Sequence, residues 1–103
     1  MNPNTNSGMK KAYLEITMKV SGANRPKAGA VYTKYRAPFL DTVRGAETKD
    51  LLIRDEDVQV IHSFDSRSNA EQYLQSKLFG NDIVNELRPL LSADPEIRIY
   101  ERQ

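Results

Sequence analysis

The chain holds a single histidine, His62, and has neither cysteine nor tryptophan. An imidazole in a largely apolar setting can take a proton near neutral pH and so act as a general base. Tyr32, Tyr35 and Tyr73, with Phe39, are the side chains suited to holding a flat or phenolic ligand, since each tyrosine offers an apolar body and a polar tip. Arg36 stands beside them in sequence and can pair with an anionic substrate group. Each has a plain structural reading as well. A lone histidine can be a core residue satisfied by one hydrogen bond, the tyrosines can be core with hydroxyls at the rim, and the arginine can be solvated.

Other chemistries lack their residues. Without cysteine there is no disulfide, thiolate nucleophile or zinc–thiolate site. Asp55-Glu56-Asp57 is a turn, because three adjacent acids cannot all face one ion and the EF-hand spacing is missing; no metal is expected. There is no glycine-rich phosphate loop, and no serine stands in a Gly-x-Ser-x-Gly setting. Fifteen basic against fourteen acidic residues leave a net charge of +1. That balance offers no basic footprint for nucleic acid. No apolar run suffices to span a membrane. Residues 1–9 read as a disordered tail without the features of a secretory signal, and the protein as cytoplasmic.

The remaining residues, 10–103, form one domain with a single core. Its 39% hydrophobic and 28% charged content is that of a compact soluble chain. From Lys11 to Val20 the sequence alternates: Ala12, Leu14, Ile16, Met18 and Val20 share one face, with Tyr13, Glu15 and Thr17 opposite. Period two over ten residues is a half-buried strand. Asn24 is a candidate cap for a helix over about Pro26–Val43, whose inner arc carries Val31, Tyr32, Tyr35 and Phe39. Pro38 should bend that helix or divide it, and Gly45 should close it. Strands at about Thr48–Arg54 and Val58–Asp65 form a hairpin across the acidic turn. Ser68 with Glu71 has capping-box spacing for a second helix carrying Ala70, Tyr73, Leu74 and Leu78. Gly80-Asn81-Asp82 interrupts it, helical spacing resumes to Leu91, and Glu96–Glu101 is a final strand.

The order β-α-β-β-α-β predicts an α+β domain: a four-stranded antiparallel sheet with both helices on one face and strands one and three central. Leu14, Ile16, Met18, Val60, His62, Phe64, Ile97 and Ile99 should face the helices. Tyr13, Glu15, Thr17, Gln59, Ile61, Ser63, Arg98 and Tyr100 should form the opposite face. Its mixed character suggests burial against a second copy, giving a homodimer; a merely solvated face is the alternative.

Tyr13–Val20, the Tyr32/Tyr35/Pro38 helix ending at Gly45, Tyr73-Leu74-Gln75-Ser76 followed by Phe79, and Leu87-Arg88-Pro89-Leu90 leading into Ile97–Tyr100 resemble the dimeric α+β-barrel superfamily. That group includes the antibiotic-biosynthesis-monooxygenase-like proteins, and the resemblance covers about residues 10–101. It implies a ferredoxin-like subunit, a homodimer whose sheets close a barrel, and a cavity between sheet and helices in each subunit. It further implies cofactor-independent, monooxygenase-like chemistry on a small aromatic or phenolic molecule, without a cofactor. Haem degradation in that group depends on an Asn-Trp-His set, which this tryptophan-free chain lacks. A non-catalytic homodimeric module binding a small ligand or a protein is the alternative. RNA-recognition modules share the element order, but strand three offers Gln59, Ile61 and Ser63 where they place aromatics.

Overall fold

The computed structural model describes residues 10–103; the tail expected over residues 1–9 lies outside them. Strand β1 (Ala12–Met18) alternates buried and half-buried side chains along its whole length, as period two requires. It pairs antiparallel with β3 (Val58–Phe64) on one side and with β4 (Glu96–Glu101) on the other. Strand β2 (Ala46–Ile53) pairs with β3, giving the order β2-β3-β1-β4. The sheet is thus four-stranded and antiparallel with β1 and β3 central, as the element order predicts.

Helix α1 (Arg25–Thr42) packs on β2, and helix α2 (Arg67–Leu74) on β1, β3 and β4. Both lie on the face carrying Leu14, Ile16, Met18, Val60 and Phe64, all buried. Ile97 sits opposite Ile16 and so shares that face. It is nevertheless 43% exposed, on a strand at the edge of the sheet.

Several local expectations need correction. Of the two outcomes expected at Pro38, division does not occur: α1 runs through it as one helix. The proline is exposed, as is Lys34, whose carbonyl loses its helical donor to the ring and can turn to water. Asn24 makes no side-chain cap; its amide donates instead to the Leu90 carbonyl at 3.4 Å. The cap of α2 is Ser66, not Ser68: β3 ends at Phe64, so the extended Ser66 is in place to accept from the Asn69 amide at 3.2 Å. The Gly80 interruption is absorbed as a π-helical turn, Leu78–Ile83, running straight into the short helix α3 (Val84–Leu87).

Gly45 lies beyond the end of α1, in the turn that swings the chain into β2. Its φ is 78°, and its carbonyl accepts from the Asp65 amide at 2.9 Å. A Cβ there would overlap Asp65 Oδ1 and the Asn69 side chain. Only glycine meets both demands. Gly45→Ala is therefore expected to destabilise the domain by about 2 kcal/mol or more, measured by urea unfolding; a loss below about 0.5 kcal/mol would refute the role given to this turn.

Candidate functional site

Between the sheet and the helices lies a cavity of about 520 Å³, with a wall mostly of aliphatic and aromatic side chains. At one end it opens beside the β2–β3 hairpin and the 91–95 segment, where Ile53 is 66% exposed. The Arg54 and Asp57 side chains tie that hairpin with two 2.8 Å hydrogen bonds, which confirms the acidic triplet as a turn. At the other end the wall is formed by buried groups.

The blind end is built around Phe39. Its ring meets the rings of His62, Phe64 and Tyr73 edge-on, with centroids 5.1, 5.5 and 5.0 Å away. Such contacts contribute beyond area burial and fix ring orientation. Phe39 is fully buried and lies behind the wall, so it supports the cavity without lining it.

His62 lines the cavity and is buried, as strand phase predicts. Its Nδ1 lies 3.0 Å from the Leu14 carbonyl. A carbonyl only accepts, so Nδ1 carries the proton and Nε2 presents a lone pair. Nε2 has no hydrogen-bond partner among the described residues. Burial, and then the neighbouring Lys49 charge, push the imidazole down to about 3, against the opposing effect of the Leu14 hydrogen bond. At neutral pH the ring is uncharged and a weak base.

Tyr73 comes from α2, where the Ser66 cap sets the helical phase that turns it inward. It is buried, and its hydroxyl has no hydrogen-bond partner among the described residues. Burial alone drives its ionisation far up, so it stays a neutral hydroxyl able to donate. An orphaned buried hydroxyl is costly unless something in the cavity meets it.

Tyr32 and Tyr35 also line the cavity, and their hydroxyls are engaged elsewhere. The Tyr32 hydroxyl donates to the Lys49 carbonyl at 2.8 Å, and the Tyr35 hydroxyl donates to Glu86 on α3, which Lys34 also holds. Arg36 is not in the wall. It is exposed, and its Nε donates to the same Lys49 carbonyl at 3.2 Å. Of the residues singled out in the sequence, His62, Tyr73, Tyr32 and Tyr35 meet at the cavity; Phe39 backs it and Arg36 stands outside.

Lys49 is the wall residue that sequence reasoning passes over. It lies opposite His62 across β2–β3 and is only 4% exposed. Its Nζ sits 5.2 Å from the Phe39 ring centre and 5.9 Å from that of Tyr32, and no carboxylate pairs with it among the described residues. Burial, with repulsion from Arg36 second, lowers its amine to about 8. A signal exists in the sequence: Lys49, Leu51 and Ile53 alternate in phase, hidden by an irregularity in pairing between Ala46 and Thr48.

Among the described residues no cluster of three or more His, Cys, Asp or Glu suits a metal ion, and no helix is long and apolar enough to cross a membrane. No family model matches the sequence, and no curated protein matches it. Solved structures match in fold. A Caulobacter crescentus protein provisionally named an antibiotic biosynthesis monooxygenase superposes with a TM-score of 0.80 at 14% identity, covering 92% of each chain. A conserved protein from Methanosarcina mazei gives 0.80 at 15% identity, covering 92% of this chain and 95% of its own. SnoaB from Streptomyces nogalater, a cofactor-independent oxygenase, gives 0.73 at 18%, covering 91% of this chain and 94% of its own. The fold is therefore the ferredoxin-like α+β fold of the monooxygenase-like structures.

The depressed imidazole has a consequence for stability. Between pH 6.5 and about 3 the unfolded chain protonates at His62 while the folded one does not. Its contribution is complete above pH 6.5 and falls with acidification, by at most about 1.4 kcal/mol per pH unit. Nuclear magnetic resonance should show an imidazole still neutral at pH 5, and His62→Phe should flatten the acid limb of the stability profile. An imidazole titrating near 6.5 would contradict the burial described.

Proposed function

We propose that this protein is a cofactor-independent, monooxygenase-like enzyme acting on a small aromatic or phenolic molecule in the helix–sheet cavity. The observation that carries this reading is the Tyr73 hydroxyl, buried without a partner among the described residues in the wall of a mostly apolar cavity of about 520 Å³. That volume falls within the range of ligand sites, which are mostly apolar with a few convergent polar groups. The fold likeness to a cofactor-independent oxygenase gives support of a weaker kind, since fold alone does not fix function.

In this reading the rings of Tyr32 and Tyr35 hold the flat body of the substrate, and Tyr73 donates to its oxygen. His62 Nε2 accepts from a second hydroxyl and orients the ring. Dioxygen is the co-reactant. The substrate loses its hydroxyl proton to solvent and passes one electron to dioxygen, and the peroxide formed next takes a proton back from solvent. Superoxide then bonds to a ring carbon bearing hydrogen, and loss of water from the hydroperoxide leaves a quinone. Phenol and dioxygen thus give quinone and water, and nothing else is consumed. His62, held at about 3, is too weak a base to drive the first step, which favours keeping a non-catalytic binding module as the second reading.

The test is oxygen uptake with a panel of phenols and hydroquinones. Turnover is expected, with Tyr73→Phe lowering kcat by roughly 10-fold to 100-fold, about 1.4–2.7 kcal/mol of lost hydrogen bonding. Saturable binding without oxygen uptake across the panel would favour the module.

We also propose that the chain pairs with a second copy through the sheet face opposite the helices. Leu52 and Tyr100 are 50% and 49% exposed there, with Ile61 half-buried between them on the same face. Covering these side chains would enlarge the apolar core of a small domain and close two sheets face to face. Sedimentation should give a dimer at micromolar concentration, and Leu52→Asp with Tyr100→Asp should give a monomer. A wild-type monomer under those conditions refutes the pairing.

A further inference from the structure

Lys49 is a buried cation, 4% exposed. Its wall neighbours on β1 and β3 are Ile16, Val60 and the neutral His62, and no salt bridge reaches it among the described residues. The two facing rings, Phe39 and Tyr32, each contribute about 0.5–2 kcal/mol of cation–π attraction. Taking an ammonium out of water costs several kcal/mol. A methionine at this position would fill the same space without that cost.

We infer that Lys49 holds the ionised oxygen of a phenolic ligand at the blind end of the cavity, so that the ligand binds as its phenolate. This rests on the phenolic reading above. A phenolate is the complement of the space: a flat apolar body for the aliphatic wall, and one anionic oxygen for the unpaired ammonium. The Tyr73 hydroxyl, also unpartnered, supplies a second donor. His62 cannot serve in that role, because its single proton is committed to the Leu14 carbonyl. Around Phe39 the donors that face no acceptor among the described residues are Lys49 and Tyr73.

The charged and titratable groups around Lys49 are consistent with this. Arg36 and Tyr32 on α1, His62 on β3 and Tyr73 on α2 supply no negative charge. Glu86 on α3 is engaged by Tyr35 and Lys34, and Asp94 lies exposed in the 91–95 segment at the mouth. An amine lowered to about 8 still remains mostly protonated at pH 7, and an anion beside it would hold the proton more firmly.

The experiment is a spectrophotometric titration of bound para-nitrophenol, whose phenolate is coloured. An uncharged apolar cavity would raise the pKa of the bound phenol, whereas a facing ammonium lowers it by roughly 1–3 units. Wild-type protein is expected to lower it by about one unit or more. Lys49→Met and Lys49→Gln should abolish the shift, and Lys49→Arg should retain part of it. Lys49→Met should also melt no lower than wild type at pH 7, a readout that a structural role for the ammonium would reverse. Binding of the probe in its neutral form, or an undiminished shift in both neutral variants, overturns the role of Lys49 and leaves the phenolic cavity standing. Failure of every phenol in a panel to bind wild type overturns the phenolic reading itself.

Discussion

A slip of one residue between β1 and β3 would turn every side chain of the pair to the opposite face of the sheet. The register sets Leu14 against His62 and Ile16 against Val60. It thereby builds the core and places the imidazole in the cavity at the same time. The buried row of β1 makes that register expensive to leave. Fully burying a side chain such as Leu14 or Ile16 is worth about 1.5–3 kcal/mol, and a slip would expose several of them together. The edge strands inherit their phase from this central pair: Ile97 and Ile99 through β1, Lys49 and Leu51 through β3.

What the register leaves open is how the helices cover the core face, and there Phe39 decides. From the last turns of α1 it closes one end of the layer with four rings in mutual contact, joining α1, β3 and α2. At the opposite end the layer stays apart. A sealed, dry void of about 520 Å³ would cost on the order of 12 kcal/mol by the scaling found for cavity-creating substitutions. That equals the whole stability of a typical domain. The opening beside Ile53 and Ile97 resolves the difficulty, since a space connected to solvent can hold water or a ligand. Rigid packing at one end and access at the other are thus two outcomes of one arrangement.

The parts legible in the sequence are those where alternation is unbroken. β1 and β4 stand where period two puts them, and His62 faces inward because it is in phase with Val60 and Phe64. Helical period alone singles out Tyr32, Tyr35 and Tyr73. Arg36, next to Tyr35 on the same helix, is not separable from them by angle; the carbonyl of the edge strand draws it outward. Lys49 is hidden because the pairing of β2 shifts near Glu47 and reverses the phase from Thr48 onward. The cap of α2 falls two residues from its expected place because Ser66 and Ser68 have the same chemistry, and only the end of β3 chooses between them. Local rules name the candidates, and long-range pairing selects among them.

The selected polar groups have a common property. Lys49, His62 and Tyr73 are held in states that burial alone would not reward: an ammonium without an anion, an imidazole with an idle lone pair, and a hydroxyl with an idle proton. A core optimised for stability would replace all three with apolar residues of similar volume, as buried ion pairs can be replaced without loss. Each group instead offers one unmet interaction, and the three surround the same aromatic ring, Phe39. Two are donors and one is an acceptor. A mostly apolar cavity presenting that set at its closed end discriminates by where a ligand carries its oxygens more than by its bulk. A hydrocarbon of the right shape would leave all three unsatisfied, and a fully polar molecule would lose its hydration to the aliphatic wall. An aromatic ring with oxygen at one end meets both conditions.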